Sequence, residues 1–140
     1  MKPQRIGIVI GLTVALVTAG ASLAHAKDFC IANGFQIVGK NFKVPGKGKC
    51  KPFYGFFSTS PGSGTTGQAC TADDNSHVVF TLTTTISSIP GYAEWDNIDL
   101  ALPALTGTLI SASVSSGAVA PTPPPIAVTA GPCAAPVPIP

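Results

Sequence analysis

The sequence predicts an all-β protein, a small antiparallel β-sandwich that is disulfide-bonded and carries a Pro-rich extended C-terminal segment. Three observations carry that expectation. Short runs alternate apolar and polar residues with the period of two that a pleated strand imposes, most clearly from His77 to Ile86 (HVVFTLTTTI). Turn-forming dipeptides such as Asn33-Gly34 and Pro90-Gly91 separate the runs, and no helical periodicity follows the first apolar segment. Four cysteines lie downstream of an export-type leader. Recurrent alternating segments with turns and no helices are best accommodated by a sandwich of about six to eight strands.

The leader comes first. Lys2 and Arg5 precede the apolar run Ile6 to Ala24, and Ala24-His25-Ala26 has the small-x-small form that a signal peptidase accepts. Residues 1–26 are therefore expected to be a cleaved signal peptide, residues 27–133 a single β-sandwich domain and residues 134–140 a frayed tail. An uncleaved anchor is the rival, since about 18 apolar residues can just span a bilayer. The Ala-x-Ala site favours cleavage, so no stable membrane span is expected in the mature chain, which would be secreted or periplasmic. Losing Lys2 and Arg5 leaves six basic against six acidic residues. A formally neutral chain is a poor candidate for nucleic-acid binding.

Cys30, Cys50, Cys70 and Cys133 all survive cleavage, and an even count in an exported chain of this size reads as two disulfides. Of the three pairings, Cys50 with Cys70 and Cys30 with Cys133 is preferred, because the second bridge would tie down a Pro-rich tail that has little else to hold it. Zinc is disfavoured: there is no Cys-x-x-Cys pair, and His77 is the one histidine left after cleavage.

Taken in order, Asn33-Gly34 accepts the positive φ of a tight turn and predicts a hairpin from Phe29 to Val38. Gly39 to Asn41 reads as a second turn leading into Phe42 and Val44. Lys40, Lys43, Lys47, Lys49 and Lys51 crowd the next stretch, and Phe53-Tyr54-Gly55-Phe56-Phe57 places four aromatics in five residues directly after it. Lys47, Lys49 and Lys51 beside Tyr54 form a candidate basic-aromatic binding surface; the competing reading is a solvated turn followed by a strand packed on both faces. Ser58 to Gln68 (STSPGSGTTGQ) has no apolar anchor and is expected to be an exposed, mobile loop. Asp73-Asp74-Asn75-Ser76 makes a turn, and its oxygens lack the spacing of a dedicated calcium loop.

The run His77 to Ile86 sets Val78, Phe80, Leu82, Thr84 and Ile86 on one face. After Pro90-Gly91 a second alternation sets Ile98, Leu100 and Leu102 together, with Trp95 out of phase. Either a bulge resets the register or the indole faces the other side. Thr106 to Ser116 alternates Thr108, Ile110, Ala112 and Val114 with Leu109, Ser111, Ser113 and Ser115, one face mostly apolar and one mostly polar. Eight of the fourteen prolines lie from Pro121 to Pro140, so residues 121–125 are expected to be extended, with Ile126, Val128 and Ala130 adding a short edge strand.

Catalytic motifs are scarce. His77 has Asp73 and Asp74 nearby, but no Gly-x-Ser-x-Gly elbow selects a nucleophile. Glu94 and Asp96, two apart in a strand, share a face with Cβ atoms about 7 Å apart, the separation class of a glycosidase pair, and Trp95 beside them would be a sugar platform. The expected function is thus a non-enzymatic binding or surface-interaction protein without a cofactor, its partner a glycan or another surface protein. The alternatives are a small glycan hydrolase using Glu94 and Asp96, and a structural subunit assembling by strand addition. The candidate binding residues are Trp95, Glu94, Asp96, Lys47, Lys49, Lys51 and Tyr54.

Overall fold

The computed structural model describes residues 28–32, 36–135 and 137. The expected leader and the Asn33-Gly34 turn lie outside the described residues. Nine strands are found among them: β1 (Phe29–Ala32), β2 (Gln36–Gly39), β3 (Cys50–Phe57), β4 (Ser63–Thr71), β5 (His77–Ile86), β6 (Ala93–Ala101), β7 (Thr106–Ser115), β8 (Ala118–Val119) and β9 (Ile126–Pro132). From β1 to β7 each strand pairs antiparallel with the next. The predicted first hairpin is present, with Ala32 opposite Gln36 and Cys30 opposite Val38.

The sandwich is corrected to a closed barrel. β9, expected as an edge strand, pairs on both sides, with β1 through Ile31↔Ala130 and with β7 through Gly107↔Val128. β8 is a two-residue extension that pairs with β7. The sheet therefore returns to its starting strand and closes as a ring of eight. At eight strands the enclosed space is just filled by side chains, so the apolar face needs no second sheet to cover it.

A second correction concerns Ser63 to Gln68. Expected as a mobile loop, these residues open β4 and are paired throughout, from Ser63↔Ile86 to Thr71↔Val78 on the β5 side and from Gly55↔Thr65 to Cys50↔Cys70 on the β3 side. A strand hydrogen-bonded on both edges needs no apolar run of its own. Its Gly67 allows close approach: a methyl group there would collide with the Thr81 carbonyl of β5. Gly107 does the same on β7, where a methyl would strike the Asp99 carbonyl of β6. At both points the neighbouring strand approaches too closely for a side chain.

The interior is apolar towards one end. The rings of Phe29, Phe42, Phe53 and Phe80 meet there with centroids 5.1–5.9 Å apart. Phe42, from the β2–β3 connection, inserts as a plug, and Val78, Ile98, Leu100, Leu109 and Val128 complete the cluster. Facing outward on β3, Phe56 packs with Val38, Cys30, Cys133 and Val137 in a smaller cluster on the outer wall. Both preferred disulfides are present: Cys30–Cys133 spans 103 residues and Cys50–Cys70 spans 20. The outer faces of β4 and β5 carry Thr66, Gln68, Thr81, Thr83 and Thr85.

Candidate functional site: the two faces of strand β6

Strand β6, AEWDNIDLA, alternates without interruption. Its ladder with β5 runs from His77↔Ala101 to Thr84↔Glu94 with no extra residue on either strand. There is no bulge between Trp95 and Ile98, so Glu94, Asp96, Ile98 and Leu100 turn inward while Trp95, Asn97 and Asp99 turn outward. One strand thus supplies a polar cluster to the interior and an aromatic to the outer surface.

On the inner side, strand β7 matters as much as β6. Its mostly polar face is the inward one: Leu109 is buried, and Ser111 and Ser113 lie directly across from Asp96 and Glu94, whereas Ile110 is 48% exposed. A polar strand face is tolerated inside because it faces polar partners. Across β5, Thr84 is opposite Glu94, and its hydroxyl is 2.8 Å from that of Thr65 in a fully buried pair. Tyr92 donates its hydroxyl to Glu94 Oε1 at 3.0 Å. Glu94 Oε2 and both oxygens of Asp96 are buried and meet no donor.

What Asp96 meets is a second acid. Burial first, then the adjoining Glu94 carboxyl and its charge, push the Asp96 acid up to about 8. Near neutral pH Asp96 therefore holds its proton, beside the Glu94 carboxyl to which Tyr92 donates. Burial, together with the hydrogen bond to Glu94, pushes the Tyr92 phenol up to about 12, so it remains a donor. An opening of about 170 Å³ lined by Phe57, Thr59, Ser60, Ile86, Tyr92 and Glu94 connects this end of the barrel to solvent.

On the outer side, Trp95 stands between Thr83 of β5 and Ala112 of β7, with Asn97, Thr81 and Ile110 one step along. Thr122, from the Pro-rich connection between β8 and β9, overhangs the same surface, closing a depression of about 360 Å³. Trp95 is 48% exposed on its floor. The outward side chains of this depression are aromatic, aliphatic, hydroxyl or amide; Leu82, Asp96 and Ser111 also line it, from positions on the inward register of their strands.

The other candidate residues are not gathered here. Lys51 is opposite Ala69 on the inward register of β3, and its Nζ lies 5.7 Å from the centre of the Phe42 ring, capping the aromatic end of the barrel. Tyr54 is three residues further along and faces outward, 69% exposed, so Lys51 and Tyr54 lie on opposite faces of the strand. Lys47 and Lys49 are exposed before β3. His77 is exposed beside the Asp73–Ser76 turn, in which Asp74 Oδ1 accepts from the backbone and hydroxyl of Ser76.

Tyr92, Thr84, Ser111 and Ser113 on the inner side, and Thr81, Thr83, Asn97 and Thr122 on the outer side, belong to these sites without having been singled out in the sequence. Their signal is the register between strands, which becomes readable once β6 is known to lie between β5 and β7.

Fold and site together define a class: a disulfide-clamped, closed eight-stranded antiparallel barrel with an acid pair inside one end and an aromatic-floored depression on its wall. No known protein family, characterised protein or solved structure matches this chain.

Proposed function

We propose that this protein is an exported, non-enzymatic binding domain whose outer wall around Trp95 receives a neutral glycan. The supporting observation is the depression floored by a half-exposed Trp95 and edged by the outward side chains of Thr81, Thr83, Asn97 and Thr122. An indole face stacks on the apolar face of a sugar ring, and hydroxyl and amide groups around it bond the ring's edge. The two disulfides fit an oxidising compartment, where such a ligand would be met.

The same geometry weighs against hydrolysis. A sugar on Trp95 lies outside the wall, while Glu94 and Asp96 project inward, so the platform and the two acids do not address one ligand. Assembly by strand addition has little support, since closure through β9 removes the long free edge it needs.

Trp95 is the chain's single tryptophan, so its fluorescence reports on this surface alone. Titration with a panel of neutral oligosaccharides is expected to shift its emission. In calorimetry, Trp95→Ala is expected to lower affinity about tenfold or more. No spectral shift and no heat across the panel would remove the glycan reading.

A further inference from the structure

We propose that the Glu94 end of the barrel is a binding site for a hard divalent cation of the calcium type, held by the carboxylates of Glu94 and Asp96 and by hydroxyls facing them. The site lies on the opposite face of β6 from the Trp95 depression and does not depend on the glycan reading.

The starting point is Asp96. It is 3% exposed, lies one inward step deeper than Glu94, and leaves both carboxyl oxygens without a donor. Buried charges are normally paired or coordinate a metal. The ion pair found among the described residues is Lys40 with Asp28, and Lys51 caps the aromatic end, so no lysine neutralises the acids. Tyr92 donates to one oxygen of Glu94, and the other three carboxylate oxygens have no partner outside the acid pair itself.

The neighbours extend this set with oxygen. Ser111 is directly opposite Asp96, and Ser113 and Thr84 are directly opposite Glu94. Residues facing each other across an antiparallel pair have Cβ atoms about 4.5–5.5 Å apart, which puts their hydroxyls within reach of a shared ion. Among the described residues no group of three or more His, Cys, Asp or Glu is placed to hold a metal ion, so the set here is two carboxylates completed by hydroxyls. An all-oxygen set with two carboxylates matches calcium, which accepts six to eight irregularly placed oxygens, better than magnesium, which requires a near-ideal octahedron. The opening of about 170 Å³ beside Tyr92 reaches the Glu94 side of this set.

The test uses the full chain with both disulfides intact, in mildly alkaline buffer after chelation. Millimolar calcium is expected to raise the melting temperature by about 4–8 °C. Terbium, as a calcium substitute excited through the protein's aromatic residues, is expected to luminesce and to be displaced by calcium. Both responses should vanish in Glu94→Gln and in Asp96→Asn, and should persist in Trp95→Ala and in the exposed-turn variant Asp74→Asn. If Asp96→Asn does not fold, Glu94→Gln decides alone. A wild-type melting temperature unmoved by calcium means that a proton alone holds the acid pair, and overturns the proposal. A calcium response that survives Glu94→Gln places the ion elsewhere and overturns it as well.

Discussion

Replacing Asp96 by Asn should change how the barrel's stability depends on pH. The folded-state acid sits at about 8 against an ordinary value of 3.8. Between these values the folded chain holds a proton that the unfolded chain has released. Stability from this group is therefore greatest below about pH 4, declines as pH rises, and levels off above about pH 8. Each pH unit within the window removes about 1.4 kcal/mol, so the whole window has a ceiling of about 5–6 kcal/mol. The Glu94 carboxyl beside Asp96 lines the opening, where solvent screens part of this effect and reduces the expected loss to about 2–3 kcal/mol, still a large fraction of a small domain's stability. Asn reproduces the shape of the protonated acid and carries no titratable proton. Urea unfolding at a series of pH values, with chelator present, should show wild type and Asp96→Asn converging in acid and separating towards alkaline pH, the variant becoming the more stable. Parallel curves across that range would refute the burial argument for Asp96.

Three other outcomes follow from the packing. Thr84→Val removes one partner of the buried Thr65–Thr84 hydroxyl pair and should cost about 1–3 kcal/mol, while the double change with Thr65→Val should recover most of that loss; denaturant midpoints of the singles and the double decide it. Phe80, fully buried at the centre of the aromatic cluster, should cost about 3–5 kcal/mol when changed to Ala, against less than about 1 kcal/mol for half-exposed Trp95→Ala, as read from the same midpoints. Serine replacement of the Cys30–Cys133 pair, which closes a 103-residue span, should cost about 4–5 kcal/mol, and replacement of the 20-residue Cys50–Cys70 bridge about 3 kcal/mol. A larger loss from the shorter bridge would show that unfolded-chain entropy is not what the bridges supply.

Several elements were legible in the sequence because their cause is local. The alternation of His77 to Ile86 places Val78, Phe80, Leu82 and Thr84 inward, as the pleat demands, and Asp73 to Ser76 turns because Asp74 bonds Ser76 within the turn. Residues whose role rests on a distant partner were misread or left open. Ser63 to Gln68 looks like a loop from its own composition and is a strand because β3 and β5 hold both its edges. On β7 the mostly polar face looks like the solvent side and turns inward, because Ser111 and Ser113 oppose Asp96 and Glu94.

For this protein the sequence by itself determined the strand-forming runs, the two-residue period along each, and the four cysteines that its disulfides join. Those properties follow from side chains within a few residues of one another. Tertiary structure decided that the sheet closes rather than stacks, that Trp95 looks out while Glu94 and Asp96 look in, and that the two acids share one enclosed end. Each of those depends on which strands become neighbours. β9 meets β1 about a hundred residues from it in the chain, as the 103-residue span of Cys30–Cys133 records. A pairing at that separation is set by the fit of the whole ring, in which eight strands are just enough for their side chains to fill the interior.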